Sequence, residues 1–151
     1  GVDKMNELAK RGHEPAIHYL VNNVRHPNEK IRNAIKLYVA ALRHPLALPA
    51  LSELVNHSQM NIRTSARATV LALAQHSDAR PVLEKMLAGA ARAEKSTILS
   101  AISQHHGETA LQALSKHSDE QVRNLATGML RGLEIKARTR TPPATRPRRK
   151  P

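Results

Sequence analysis

The stretch HSDEQVRNLATGMLRGL, His117–Leu133, has two upstream counterparts: HSQMNIRTSARATVLAL at His57–Leu73 and HPNEKIRNAIKLYVAAL at His26–Leu42. Aligned on a branched aliphatic residue followed by arginine, the copies give Ile31-Arg32, Ile62-Arg63 and Val122-Arg123, spaced by 31 and then 60 residues. The second gap is two steps of 30 with a blurred copy between them. A fixed spacing of this size marks an architecture of stacked units, each too small to bury its apolar face alone.

Within each copy the apolar residues fall on one face of a helix. Val122, Ala126, Leu130 and Leu133 stand at i, i+4, i+8 and i+11, and Ile62, Ala66, Val70 and Leu73 repeat the pattern, as do Ile31, Ile35, Val39 and Leu42. A shorter apolar segment precedes each copy: Ile17, Leu20 and Val21, then Leu51 and Leu54, then Leu111 and Leu114. The unit is therefore a short helix, a tight turn and a longer helix. The expected fold is all-α, an α-solenoid of about four helix pairs with a short N-terminal helix and a disordered basic C-terminal tail.

The expected boundaries follow from the breaks. Residues 1–13 form the N-terminal helix, capped by Asp3 and stopped by Gly12. The paired-helix domain spans 14–135, in units 14–43, 45–75, 78–105 and 107–135, and the tail spans 136–151. Pro15, Pro49 and Pro81 suit first helical turns. The third unit is degenerate, with Arg92-Ala93 where the others place the aliphatic–Arg pair, but Leu83, Met86, Leu87, Ile98, Ala101 and Ile102 still spell out a core. The chain opens Gly1-Val2 rather than with Met, which reads as a processed, tagged or excised piece.

Composition narrows the chemistry. Tyr19 and Tyr38 are the only aromatic residues, so the core is built from aliphatic residues and alanine. There is no cysteine, which excludes disulfides and thiolate metal sites. No apolar run approaches the roughly 20 residues that span a bilayer, and no membrane insertion is expected. The formal net charge is +12. Beyond Glu134 there is no acidic residue but seven basic ones, leaving seventeen basic against twelve acidic residues in the body. Such an excess favours anionic partners.

Five histidines (His26, His44, His57, His76 and His117) each precede Pro or Ser at an expected helix end. A helix C-terminus, whose dipole favours positive charge, accounts for them better than a metal array. Equivalent positions in stacked units lie about 10 Å apart, too far to share one zinc at about 2 Å. No metal or other cofactor is expected.

The segment Leu114–Leu133, with its turn, acidic residue, aliphatic–Arg pair and alanine-rich helix, resembles a HEAT repeat of the short bacterial kind, and Leu20–Leu42 and the copy around His57 are similar to it. The resemblance covers residues 14–135. It implies a ladder in which the arginine after the aliphatic bonds turn residues, matched here by Arg32, Arg63 and Arg123. His26, His57 and His117 stand where the family commonly has Asp, which leaves those arginines fewer carboxylates and more freedom to bind something else. It also implies that the second helices line a concave surface, giving a candidate basic stripe of Arg32, Lys36, Arg63, Arg67, Arg92, Lys95, Arg123 and Arg131.

The tail KARTRTPPATRPRRKP, Lys136–Pro151, has four prolines and no apolar periodicity. Pro143–Arg148 resembles a proline–arginine ligand for SH3 domains, and Arg146–Lys150 a nuclear-import or nucleic-acid segment. A basic C-terminal tail also suits an export signal for a bacterial secretion machine. The candidate tail contacts are Arg138, Arg140, Pro143, Arg146, Pro147, Arg148, Arg149 and Lys150.

The chain lacks a Gly-rich phosphate loop, a Gly-x-Ser-x-Gly elbow and a His-Glu-x-x-His pair. Similar repeats occur in alkyl-base DNA glycosylases and phycobilin lyase subunits, but the aromatic cluster of the glycosylases has no counterpart here. The expected function is a non-catalytic scaffold or adaptor that binds a protein partner with an acidic surface. The alternative is binding of DNA or structured RNA through backbone phosphates. The expected compartment is the cytoplasm, or the nucleus in a eukaryote.

Overall fold

A computed structural model describes residues 1–140, with the side chains of 1–139. Among these residues the protein is all-helical. The N-terminal helix is α1 (Val2–Lys10), followed by the pair α2 (Glu14–Asn22) and α3 (Glu29–Ala40). A 3₁₀ turn, Pro45–Ala47, leads into α4 (Leu48–Leu54), which pairs with α5 (Met60–Ala72). Then come α6 (Ala79–Leu87), α7 (Arg92–Leu114) and α8 (Glu120–Arg140). No helix among the described residues is long and apolar enough to cross a membrane.

Gly107 divides α7. Its φ of 86° and ψ of 176° interrupt the helix, so the segment before it faces α6 while the segment after it acts as the short helix preceding α8. Gly12 likewise takes a φ of 85° just past α1. Both are positions that residues with a Cβ avoid. Contacts run chiefly between neighbours: α1 with α2 and α3, α3 with α5, α4 with α6, α6 with α7, and α7 with α8.

The core is the apolar set that the periodicity picks out. Ile17, Leu20, Ile35, Val39, Leu51, Leu54, Ile62, Ala66, Val70, Val122 and Ala126 are buried. Ala66 and Ala126 keep adjacent helices close, since neither adds bulk beyond Cβ. The third unit contributes Leu83, Met86, Leu87, Ile98 and Ile102. Burial is incomplete in the first and last copies: Ile31 and Leu130 are half-buried, and Leu133 is 37% exposed where its counterparts Leu42 and Leu73 are each at 4%, with no helix among the described residues following α8 to cover it.

Several local expectations change. Asp3 is not a cap: it lies inside α1, whose N-cap is Gly1, and its carboxylate accepts a hydrogen bond from the Tyr38 hydroxyl of α3. That bond, with burial and the charges of Asp3 and Glu7, pushes the Tyr38 phenol above its usual range. The segment His76-Ser77-Asp78 reads in the sequence as a stop and cap, but Asp78 precedes α6 without a side-chain capping bond. The third unit also changes register. Measured from the N-caps Asn28, Gln59 and Ala91, the residue four positions on is Arg32, Arg63 and Lys95, so Glu94-Lys95, not Arg92-Ala93, holds the place of the aliphatic–Arg pair. Finally, α8 continues through 136–140, part of the expected disordered tail; the Glu134–Arg138 ion pair at 2.8 Å spans one turn there.

The glycines provide a test of opposite signs. Gly107→Ala should cost about 1–3 kcal/mol, the strain of a disfavoured backbone region, read as a lower urea midpoint. Gly132→Ala, in α8 with open space around its Cβ position, should gain about 0.5–1 kcal/mol from helix propensity.

Candidate functional site

Each turn between a short and a long helix leaves backbone carbonyls that the helix itself cannot satisfy. The aliphatic–Arg arginines answer this need. Arg32 Nη1 donates to the carbonyls of His26 at 3.0 Å and Pro27 at 3.4 Å. Arg63 donates to His57 at 2.9 Å and Ser58 at 3.3 Å, and Arg123 to His117 at 2.9 Å and Ser118 at 3.4 Å. The expected ladder along the turns is thus replaced by a bond from each arginine back onto its own turn. In place of the missing turn carboxylates, backbone carbonyls engage the Nη1 group of each guanidinium.

The histidines take up the complementary need. Nδ1 of His26, His57 and His117 each accepts the backbone N–H two residues on, at 3.0 Å, and His44 accepts from Leu46 at 3.1 Å. Where Asp would use a carboxylate oxygen, these turns use an unprotonated ring nitrogen. The helix-dipole reading did not anticipate these bonds, in which the ring accepts a backbone N–H of its own turn. Among the described residues no cluster of three or more His, Asp or Glu side chains could hold a metal ion.

The rest of the candidate stripe divides by environment. Arg67 is enclosed: its Nε–H donates to the Val55 carbonyl at the end of α4 at 2.8 Å, Nη2 to Asn56 Oδ1 at 3.1 Å, and Nη1 to Glu94 at 2.8 Å. Gly89 makes room for it, since a Cβ there would lie 3.0 Å from Nη2. Lys95 is buried, 3.3 Å from the Asp119 carboxylate and 2.9 Å from Gln121 Oε1. Bonds from the Val122 and Gln121 amides, the former strongest, and the neighbouring Lys95 hold the Asp119 carboxyl below its ordinary range despite some desolvation. Arg92 and Arg131 are exposed. Lys36 is half-buried beside His57, Nζ to Nε2 at 3.4 Å. In the tail set, Arg138 is exposed and paired with Glu134, and Arg140 ends α8. Pro143, Arg146, Pro147, Arg148, Arg149 and Lys150 lie outside the described residues.

A groove that sequence reasoning missed opens between α5 and α7. It encloses about 520 Å³ and is lined by Met60, Ala68, Leu71, Met86, Thr97 and Ile98, with Arg63, Arg67 and Glu94 at its polar edge. Met60 is 70% exposed there. The available signal was Met60 itself, an apolar residue at a turn position where the other copies carry Glu29 and Glu120.

Two outcomes follow. Arg123→Met should leave the turn carbonyls short of a donor and cost about 1–3 kcal/mol, measured by chemical denaturation. His57 sits below its ordinary value of 6.5, through burial first and then the charges of Lys36 and Arg63. The folded protein therefore resists protonation more than the unfolded chain does. Its contribution is full above the ordinary value and is lost as pH falls through the folded pKa. His57→Asn, which keeps an acceptor, should flatten that part of the stability–pH curve. Comparison with known protein families, curated proteins and solved structures finds no match for this chain.

Proposed function

We propose that this chain is a HEAT-like α-solenoid acting as a non-catalytic scaffold or adaptor, and that it binds a protein partner with an acidic surface. The observation that carries the reading is the α5–α7 groove. Its floor is apolar, an exposed methionine stands at its mouth, and two arginines flank it. Interface cores are apolar and enriched in Met and Arg, and this lining fits an inserted aliphatic side chain with a carboxylate beside Arg63, whose Nη1 alone is taken by turn carbonyls. Successive helix pairs give the extended faces that repeat proteins use for such contacts.

The nucleic-acid reading draws its support from the exposed cations Arg92, Arg131 and Lys136 and from the basic residues beyond Glu134. It is the weaker reading because Arg67 and Lys95, near the middle of the candidate stripe, already have protein acceptors. The chain is also almost without aromatic residues on which single-stranded bases could stack.

A photo-crosslinking residue in place of Thr64, which lines the groove, should capture a protein in cells of the source organism, and Met60→Glu should abolish that capture while leaving the melting curve in place. Crosslinks to nucleic acid alone, with a steep loss of binding between 50 and 200 mM salt as expected of phosphate contacts, would overturn the protein reading.

A further inference from the structure

His57 carries a contradiction that the protein's own atoms do not resolve. Nδ1 faces the Gln59 amide at 3.0 Å, and Nε2 faces the Lys36 ammonium at 3.4 Å. Both neighbours are N–H donors, yet a neutral imidazole has one proton and one lone pair to share between its two nitrogens. If Nδ1 accepts from the amide, Nε2 carries the proton and points it at Lys36. If Nε2 accepts from Lys36, Nδ1–H is opposed to the amide. Protonating the ring worsens both contacts. The equivalent rings of His26 and His117 make the same Nδ1 bond with no second donor at Nε2.

Lys36 is also exceptional among the cations that reach across to another part of the chain. Arg25 ends on Glu53 at 2.7 Å, Arg67 on Glu94 at 2.8 Å and Lys95 on Asp119 at 3.3 Å, while Lys85 donates to the Ser52 carbonyl. Lys36 ends on a ring N–H, and the other charge felt by His57 is Arg63, also positive. Helix α4, which packs against both α3 and α5, carries one carboxylate, Glu53, which is engaged by Arg25. Lys36 Nζ and His57 Nε2 thus meet at a half-buried point between α3 and the turn before α5 with no acceptor between them, while Arg63 beside them is held by the His57 and Ser58 carbonyls.

We propose that Lys36 and His57 form a receptor for one carboxylate side chain, Asp or Glu, of the protein partner, bridging Lys36 Nζ and His57 Nε2–H. The Lys95–Asp119 pair sets the precedent: where a cation of one long helix meets the turn before the next, a carboxylate fills the gap. A bridging carboxylate accepts from both donors, leaves Nδ1 free for the Gln59 amide and fixes the ring as the Nε2–H tautomer. This deepens the proposed function, since it specifies the acidic contact of the partner. It uses residues outside the α5–α7 groove, so the two ideas fail separately.

The test is NMR titration of the full chain with a ten-residue poly-glutamate peptide, following the His57 ring and Lys36 Nζ signals, with inorganic phosphate as a second arm. The expected result is saturable shifts of both groups by the peptide, an upward move of the His57 titration midpoint when it is bound, and at least tenfold weaker binding in Lys36→Met. Without ligand, Lys36→Met should fold, melt no lower than the parent, and show a higher His57 midpoint because the opposing charge is gone. Saturation by phosphate but not by the peptide would overturn the carboxylate assignment. Shifts by neither, or peptide binding unchanged in Lys36→Met, would overturn the site. Loss of groove crosslinking with this titration intact would instead overturn the groove.

Discussion

The carbonyl oxygens stranded where short helices stop are the constraint on which the rest of this structure depends. With eight α-helices among the described residues, much of the backbone lies at helix ends, where intrahelical partners run out. The protein supplies donors from side chains. Arg32, Arg63 and Arg123 serve the turns, Arg67 serves the end of α4, Ser65 and Thr69 both reach the Ala40 carbonyl at the end of α3, and His106 reaches Ala74 just past α5. A buried carbonyl without a donor costs more than an ordinary hydrogen bond is worth, so these side chains are tied to architecture before any ligand arrives.

That use of arginine changes what the basic composition means. Part of the positive charge in the folded body is there because guanidinium offers several N–H groups on a long stem and has no acceptor of its own. Other cations, such as Arg92 and Arg131, are exposed and have neither a carboxylate nor a carbonyl partner among the described residues. The histidines follow the same logic in reverse. A ring nitrogen that accepts a backbone amide does the work of a carboxylate without its charge, and Lys36 then finds an imidazole where a carboxylate would have answered it. The convergence at His57 is a consequence of the turn's own chemistry.

The helices and the core were legible in the sequence because they rest on local, periodic information. The i, i+4, i+8 spacing identified Ile62, Ala66 and Val70 as buried, and proline chemistry identified Pro81 as a first-turn residue, without knowledge of any neighbour. The register of the third unit was not legible. Arg92-Ala93 matched the pattern by position, and only the location of the Ala91 N-cap places Glu94-Lys95 in that slot.

By itself, then, the sequence determined that the described residues form an all-helical fold, where most of its helices break and which faces they bury, since helix periodicity and turn chemistry act over a few residues. Only the tertiary structure decided which polar groups are spent and which remain. Arg67 and Lys95 look like surface cations in one dimension. They become internal donors once α5 lies near Glu94 and α7 near Asp119, pairings 27 and 24 residues apart along the chain. The groove at Met60 and the opposed donors at Lys36 and His57 likewise exist only between helices, because they arise from groups that the chain separates and packing brings together.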